Sequence, residues 1–179
     1  MKNKYWAMYY NFVKIKHYFQ ICKKEASIID RTLSIGTAVV SSASIASWLI
    51  WQDLTVVWAV ILGLSTIVSI IKLYLPYEKR VSAISYLLPE LKNLINEVEH
   101  YYNSMIYLDD NSANNIEINK NINTFKQAYT KLENKFIDDA IFPHSERIDR
   151  KSDKRATAEM TTNYYINPKE LNGNEKGKN

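Results

Sequence analysis

The residues best suited to catalysis or metal binding, histidine and cysteine, are few in this chain and far apart. His17, His100 and His144 show no metal-ligand spacing, and Cys22 is the single cysteine. No GxGxxG, P-loop, HExxH or CxxC pattern occurs, so neither a nucleotide-binding loop nor a metal-ligand pair is indicated. One cysteine can form neither an intrachain disulfide nor a zinc cluster, and we expect it to be a small buried apolar residue. The sequence therefore predicts no enzyme activity, no metal ion and no cofactor.

The carboxylates near a histidine or in a turn are explained without a catalytic or metal site. Glu97, Glu99 and His100 are close together on a predicted helix, but their spacing matches no known site and is typical of a solvated helix edge. Asp53 separates two apolar stretches, where a carboxylate favours a turn or, alternatively, marks a pore mouth.

Hydroxyl and other small side chains form stripes of helical spacing within the two apolar stretches. The first stripe consists of Ser34, Thr37, Ser41 and Ser44. The second consists of Ala59, Gly63 and Thr66. A stripe of this kind either packs closely on another helix or lines a hydrated pore. We assign the first stripe to a pore lining, with packing as the alternative, and the second to helix packing.

Cations cluster near the end of the chain. They are Arg147, Arg150, Lys151, Lys154 and Arg155. Such donors suit an anionic ligand, for example a nucleotide. Glu146, Asp149 and Asp153 are interleaved with them and nearly cancel their field, which is typical of a solvated helical face.

Two uncharged stretches, 33–51 and 54–71, dominate the first half of the chain. As helices they would each span roughly 27–28 Å, close to the thickness of the hydrocarbon core of a bilayer. Soluble buried helices would show a polar face, and a cleavable signal peptide would have a shorter charged region before it. We therefore predict a transmembrane hairpin that turns at Gln52 and Asp53.

The basic residues indicate the orientation of this hairpin. Residues 1–32 carry seven basic residues against Glu25 and Asp30, the connecting turn has none, and residues 72–179 carry as many acidic as basic residues. Lys and Arg flanking a span remain in the cytoplasm. We expect a multi-pass protein of the bacterial inner membrane with both termini cytoplasmic, and the confined basic excess argues against DNA binding.

Apolar residues of helical period continue after the hairpin. From Val81 to Met105 they recur at intervals of three and four, with a kink or restart expected at Pro89, and a second helix covers 118–136. Part of the first pattern is predicted to be the seam between copies of the chain. That seam consists of Leu88, Leu91, Ile95 and Val98.

The predicted fold class is an all-α membrane protein with four regions. They are an N-terminal cytoplasmic or interfacial helix (1–32), the transmembrane hairpin (33–75), a cytoplasmic helical bundle or coiled coil (76–142) and a polar tail (143–179), of which 167–179 is expected to be disordered. The first region is expected to pack on the bundle or to lie at the membrane surface.

This layout resembles the SLATT family, the SMODS- and SLOG-associating two-transmembrane effectors of bacterial conflict systems. The likeness consists of the N-terminal helix ending in Ile29-Asp30-Arg31, the hairpin with its Trp51-Gln52-Asp53 turn and the long helix from Tyr77, and it covers roughly residues 1–108. Membership implies a membrane effector that arrests or kills the infected cell once an upstream sensor protein or a nucleotide second messenger signals infection.

The sequence thus favours a pore-forming anti-phage effector. Two helices cannot enclose a water-filled path, so a pore would need a homo-oligomer of about four or more chains in the lipid bilayer. The alternative is a non-conducting membrane anchor or scaffold that recruits a cytoplasmic partner through its helices. A membrane-bound enzyme is the third and weakest reading.

Overall fold

The computed structural model describes residues 1–50, 55–74, 77–107, 111–137 and 145–164, with side chains given at all of these except 41–50, 55, 58 and 71–74. These residues form five α-helices and no strand. The helices are α1 (Lys2–Ile50), α2 (Thr55–Tyr74), α3 (Tyr77–Met105), α4 (Ser112–Phe136) and α5 (Glu146–Tyr164). The prediction of an all-α chain is therefore confirmed.

The helices belong to two compact units. Unit 1 comprises residues 1–23 and 83–179, and unit 2 comprises residues 24–82. Unit 1 thus contains the start of α1, most of α3, and α4 and α5. Unit 2 contains the rest of α1, together with α2 and the first residues of α3.

Unit 1 has one hydrophobic core, to which all four of its helices contribute. Tyr5 and Val13 of α1, Leu91 of α3 and Ile118 of α4 are almost fully buried in it, and Met160 of α5 joins them. In α3, α4 and α5 the buried residues recur mostly every three or four positions, which is the spacing that places side chains on one face, whereas the start of α1 is buried on more than one face. The N-terminal segment therefore packs on the bundle, the first of the two expected placements.

Aromatic rings from three helices meet in this core. Trp6 of α1 lies against Tyr102 of α3 and Tyr164 of α5, with ring centroids 5.0 and 5.1 Å apart respectively. The hydroxyl of Tyr5 donates to the carbonyl of Val98 at 2.8 Å, which gives a buried polar atom a partner. The many aromatic residues of the first twenty positions are thus core residues.

Helix α3 is continuous through Pro89. A restart at this position, one of two expected outcomes, does not occur. Pro89 is exposed, whereas Leu87 and Leu91 beside it are fully buried. Proline cannot donate a backbone hydrogen bond, and the burial of the leucines on both sides offsets this loss, so the helix stays intact.

Helix α4 begins at Ser112, six residues before the predicted start of the second helix at 118. The side chain of Asn111 accepts a hydrogen bond from the backbone N–H of Asn114 at 2.8 Å and so caps the helix. Ile118 and Ile122 are buried, and Phe125 and Tyr129 pack on the core further along.

The polar tail expected at 143–179 contains helix α5; the sequence indicated a solvated helical face near its start but not the buried face that packs on unit 1. Its buried residues are Ile148, Ser152, Ala156 and Met160, one in every four. This stripe is narrow, and its only large apolar side chains are those of Ile148 and Met160. It therefore gives a weak hydropathy signal. Residues 165–179, including the whole of the predicted disordered segment, lie outside the described residues.

In unit 2, α1 and α2 lie side by side. A groove of about 310 Å³ separates them and is lined by Gly36 and Thr37 of α1 and by Ile61, Leu64 and Val68 of α2. The predicted turn at residues 51–53, with Asp53, lies outside the described residues. Over the described part of the chain, no helix combines the length and the apolar character needed to cross a membrane.

Candidate functional site

Helix α5 presents two opposite faces, and the predicted anion-binding residues lie on one of them. At about 100° per residue, the five cations from Arg147 to Arg155 fall within an arc of about 140°, centred opposite the buried stripe. All five are exposed. We call these five residues (Arg147, Arg150, Lys151, Lys154 and Arg155) the basic face.

The acids of α5 flank the buried stripe and are held by α1. Lys14 contacts Asp149 at 2.9 Å, and the hydroxyl of Tyr10 donates to the carboxylate of Asp153 at 2.7 Å. Burial raises the pKa of Tyr10 to about 12; the hydrogen bond to Asp153 also raises it, whereas the hydrogen bond with Thr157 lowers it. Tyr10 therefore remains a neutral donor over the physiological pH range.

Glu159 makes the closest charged contacts of α5 with α1. His17 Nε2 lies 2.7 Å from one carboxylate oxygen, and Lys16 Nζ lies 2.6 Å from the other. The hydrogen bonds from His17 and Lys16 outweigh partial burial and lower the pKa of Glu159 to about 2. The carboxylate is therefore charged at neutral pH and is compensated by its two partners.

The arrangement separates charges that are mixed in the sequence. Asp149, Asp153 and Glu159 face α1, so Glu146, next to Arg150 at 3.9 Å, is the one strongly exposed acid of α5. The expected cancellation of the cationic field is thus much weaker on the solvent side than the sequence suggests. The buried stripe at every fourth residue is the signal that could have shown which acids face α1.

A cleft opens next to this contact, within unit 1. It has a volume of about 420 Å³ and is lined by Asn11, Lys14, Ile15, Tyr18, Phe19, Tyr129 and Asp149. The size is within the range of small-molecule sites. However, its cation and its carboxylate already pair with each other, so the cleft offers no net charge to an ionic ligand.

The proposed solvated edge of α3 is only partly solvated. Glu97 and His100 are exposed, as expected. Glu99 instead accepts a hydrogen bond from the hydroxyl of Tyr164 at 2.8 Å and so joins α3 to the end of α5. Burial is the main cause that raises the pKa of Tyr164 to about 12.

The predicted pore-lining residues are described in part. The hydroxyl of Ser34 donates to the carbonyl of Asp30 at 2.7 Å, and that of Thr37 donates to the carbonyl of Leu33 at 2.9 Å. Bonds of this kind within one helix allow hydroxyls to lie on an apolar helix without an unsatisfied donor. Thr37 also lines the groove towards α2, and the side chains of Ser41 and Ser44 lie outside the described ones.

The predicted packing residues of α2 do not face α1. Ala59, Gly63 and Thr66 are all exposed, and a Cβ placed on Gly63 would meet no atom within 4 Å. They lie on the side of α2 opposite Ile61 and Val68, which line the groove. Within one chain this stripe packs on nothing that the structure describes.

The residues of the predicted oligomer seam pack in the core of a single chain. Leu91 and Val98 have 0% of their surface exposed, Ile95 has 4%, and Leu88 packs on the same core while remaining half-buried. The helical period that suggested a contact between copies is thus explained by α1 and α4. Assembly of the chain stays a prediction, but these side chains offer almost no surface for it.

No metal site emerges in the described part of the chain, where no three His, Cys, Asp or Glu residues are grouped suitably. His17 contacts Glu159, and His144 lies outside the described residues. Cys22 is half-buried, rather than fully buried as expected, and packs against the core of unit 1. In comparisons with known proteins, no family model, no curated protein and no solved structure matches the chain.

Proposed function

We propose that this chain is a membrane effector of a bacterial anti-phage system, anchored in the inner membrane by the 33–71 hairpin. Both termini would lie in the cytoplasm, where unit 1 would form the folded regulatory part. Several copies would assemble, and the assembled hairpins would conduct ions when the cytoplasmic part is triggered. The layout shared with the SLATT family supports the effector role, and the surface of α2 supports the anchor.

The exposed apolar surface of α2 is the observation that carries this proposal. Val56 is 77% exposed and Leu64 58% exposed, and Val60, Ile67 and Ile70 are exposed as well. A contiguous apolar surface of this kind marks a contact with another protein or with a membrane. In a bilayer, the same side chains would contact hydrocarbon or a neighbouring hairpin, and either contact would stabilise the inserted hairpin.

The charge-free stretches of the sequence are longer than their described parts. Described side chains cover 33–40 of the first stretch, and 56–57 and 59–70 of the second. Over the full 33–71 segment, Asp53 is the single charged residue. Charged side chains at the centre of a bilayer cost about 2.5–3.5 kcal/mol on insertion scales, so their absence favours insertion.

Assembly would use the face of α2 that α1 leaves open. Ala59, Gly63 and Thr66 would let the backbone of a second hairpin approach closely, as small residues do in membrane helices. A ring of about four or more hairpins would then place the hydroxyls of α1 towards the lumen. Thr37 lines the groove with α2 in one chain, so Ser34 is the clearer candidate among the hydroxyls whose side chains the structure describes.

Conductance of the purified full chain in planar bilayers tests this function. Cysteines introduced at Ser34, Ser41 and Ser44, each in a Cys22→Ala background, should let a thiol reagent block the current. A cysteine at Val60 is the matched control, because that position should face lipid. Absence of current under all conditions, or block at Val60 alone, would contradict the pore.

A non-conducting scaffold is the second candidate, and the basic face of α5 favours it. Five exposed cations on a folded helix suit an anionic partner without any need for a pore. Phage challenge of cells distinguishes the two. An effector should depolarise the membrane of infected cells, as followed with a potential-sensitive dye, whereas a scaffold should leave the potential unchanged.

A further inference from the structure

We propose that the basic face of α5 docks on an anionic lipid surface, through electrostatic contacts with headgroup phosphates and carboxylates. The inference rests on the proposed membrane anchor and adds a second, peripheral contact to it. It concerns the five exposed cations of α5, whose neighbours Asp149 and Asp153 contact α1.

The geometry of the face suits a flat partner. The cations from Arg147 to Arg155 extend over about 12 Å of helix and lie opposite the buried stripe. All can therefore approach one plane without displacing α5 from its own core. Two of the interleaved acids, Asp149 and Asp153, contact Lys14 and Tyr10, so they oppose the attraction less than their sequence positions suggest. Glu146 remains exposed, 3.9 Å from Arg150, and offsets part of the charge of the face.

The face is also formed before any partner arrives. Ser152, Ala156 and Met160 have 0% of their surface exposed, and they fix α5 against unit 1. A charged helix that is already folded loses no backbone entropy on docking, unlike a disordered basic tail. Lys and Arg near an anionic leaflet are attracted within about one Debye length, roughly 10 Å at 0.1 M salt.

The chemistry of the face favours lipid over nucleic acid. Proteins that hold single strands place aromatic rings beside their cations, and bases stack on these rings. The one aromatic residue of α5, Tyr164, packs on Trp6 and Tyr102 instead. The basic face thus carries positive charge, but α5 has no aromatic ring on that face on which a base could stack. A hairpin in the bilayer would further keep headgroups at high local concentration around the same chain.

A fluorescent probe on the face tests the docking. Ala158 is exposed and lies within the arc of the basic face, so an Ala158→Cys change in a Cys22→Ala background places an NBD dye there without altering a charge. The full chain is reconstituted in vesicles of phosphatidylcholine, and separately in vesicles with about 30% phosphatidylserine. We expect a blue shift and brighter emission with phosphatidylserine, reversed by about 0.5 M NaCl.

Two triple variants distinguish the face from net charge. Arg147→Gln, Arg150→Gln and Lys154→Gln together should abolish the phosphatidylserine-dependent shift. Lys120→Gln, Lys126→Gln and Lys131→Gln remove the same charge from exposed positions of α4 and should leave the shift intact. Circular dichroism confirms that both variants keep their helices. Equal loss in both would show a response to overall charge and would overturn the assignment.

Other outcomes are equally clear. Identical emission in both kinds of vesicle would overturn the docking, and a short oligothymidine that produces the same shift with phosphatidylcholine alone would make the partner nucleic acid. Flotation with phosphatidylcholine vesicles after alkaline carbonate tests the anchor separately. If that flotation fails, the free chain should still bind phosphatidylserine vesicles, and the α5 variant should bind about 100-fold more weakly, at about fivefold per cation.

Discussion

The charge pairing of single residues of α5 depends on partners far away in the sequence. Asp149 lies among cations in the chain and Glu159 follows them, yet each pairs with residues of α1, Asp149 with Lys14 and Glu159 with Lys16 and His17. No local spacing encodes pairs separated by more than a hundred positions. The composition of the cluster could therefore be read from the sequence, but its electrostatics could not.

The Glu159→Gln change should destabilise unit 1 in a pH-dependent way. The pKa of Glu159 is lowered from its ordinary value of 4.5 to about 2, so its contribution is full above pH 4.5 and is lost as the pH falls towards 2. We expect a loss of about 1 kcal/mol at pH 7 that vanishes near pH 2. Thermal unfolding of the full chain, followed by circular dichroism at several pH values, measures it.

Glu146→Gln is the matched control, because its side chain is 85% exposed and meets only Arg150 on its own helix. It should leave the melting temperature unchanged throughout. A constant difference between wild type and Glu159→Gln from pH 7 to pH 2 would show that the carboxylate does not act through its charge.

The Tyr5→Phe change should cost about 1–2 kcal/mol of the free energy of unfolding. The ring is fully buried and its hydroxyl donates to the carbonyl of Val98, so the variant loses this hydrogen bond while keeping the packing. Tyr107→Phe, at a position 88% exposed, should be neutral. Equal melting temperatures for the two variants would show that the buried hydrogen bond contributes nothing.

Among the elements, the buried faces of α3 and α4 were predictable and the buried face of α5 was not. The regular apolar intervals of α3 identify its buried face, since Ile84, Leu91 and Val98 are all buried. What such a period cannot reveal is whether the partner belongs to the same chain. For α5, the stripe includes Ser152 and Ala156, and small residues buried by close approach resemble solvated ones in the sequence.

Close packing of α5 predicts a strong difference between two alanines of the same helix. Ala156 is fully buried and Ala158 is exposed. Ala156→Leu should overpack the contact, cost about 1–3 kcal/mol and speed amide hydrogen exchange throughout 146–164. Ala158→Leu should leave the exchange as it is. Similar protection in both variants would contradict the close contact of α5.

The exposed stripe of α2 makes a separate prediction about assembly. Gly63→Leu places a large side chain where small residues would let a second helix approach, and it should reduce cross-linked oligomers of the reconstituted full chain several-fold. Gly63 has open space around it within the chain, so the fold of one copy should tolerate the change. Val60→Leu, beside the stripe, is the control. Unchanged cross-linking with Gly63→Leu would remove this face from the assembly.

At the scale of the whole molecule, helical content could be predicted from the sequence, but the partition into units could not. The uncharged stretches and apolar periods indicated α2, α3 and most of α1 and α4, but not α5. The joining of residues 1–23 with 83–179 depends on long-range packing of rings such as Tyr5 and Trp6. Their abundance was visible in the sequence, whereas their partners were not.

Topology is the prediction that belongs to this scale. Reporter fusions at residue 1 and at residue 179 should both report the cytoplasm, because basic residues flank the 33–71 segment and none lies in its turn. Fusions that retain the hairpin but carry Lys in place of Gln52 and Asp53 would test the charge rule directly. A periplasmic signal from either terminus of the unaltered chain would refute the arrangement.

The position of Trp6 makes its fluorescence a measure of whether unit 1 is folded. Its indole lies 5.0–5.9 Å from the rings of Tyr9, Tyr102 and Tyr164, which belong to three different helices. Light absorbed by these tyrosines is passed to the tryptophan and emitted there, because energy transfer between the two chromophores is efficient at such separations. The other three tryptophans, Trp48, Trp51 and Trp58, lie in or beside the hairpin segment. With those three tryptophans replaced by Phe, Trp6 would be the one emitting tryptophan. Detachment of α5 from unit 1 would then lower the tyrosine-excited emission of Trp6, and this emission would follow the opening of unit 1 without an added label.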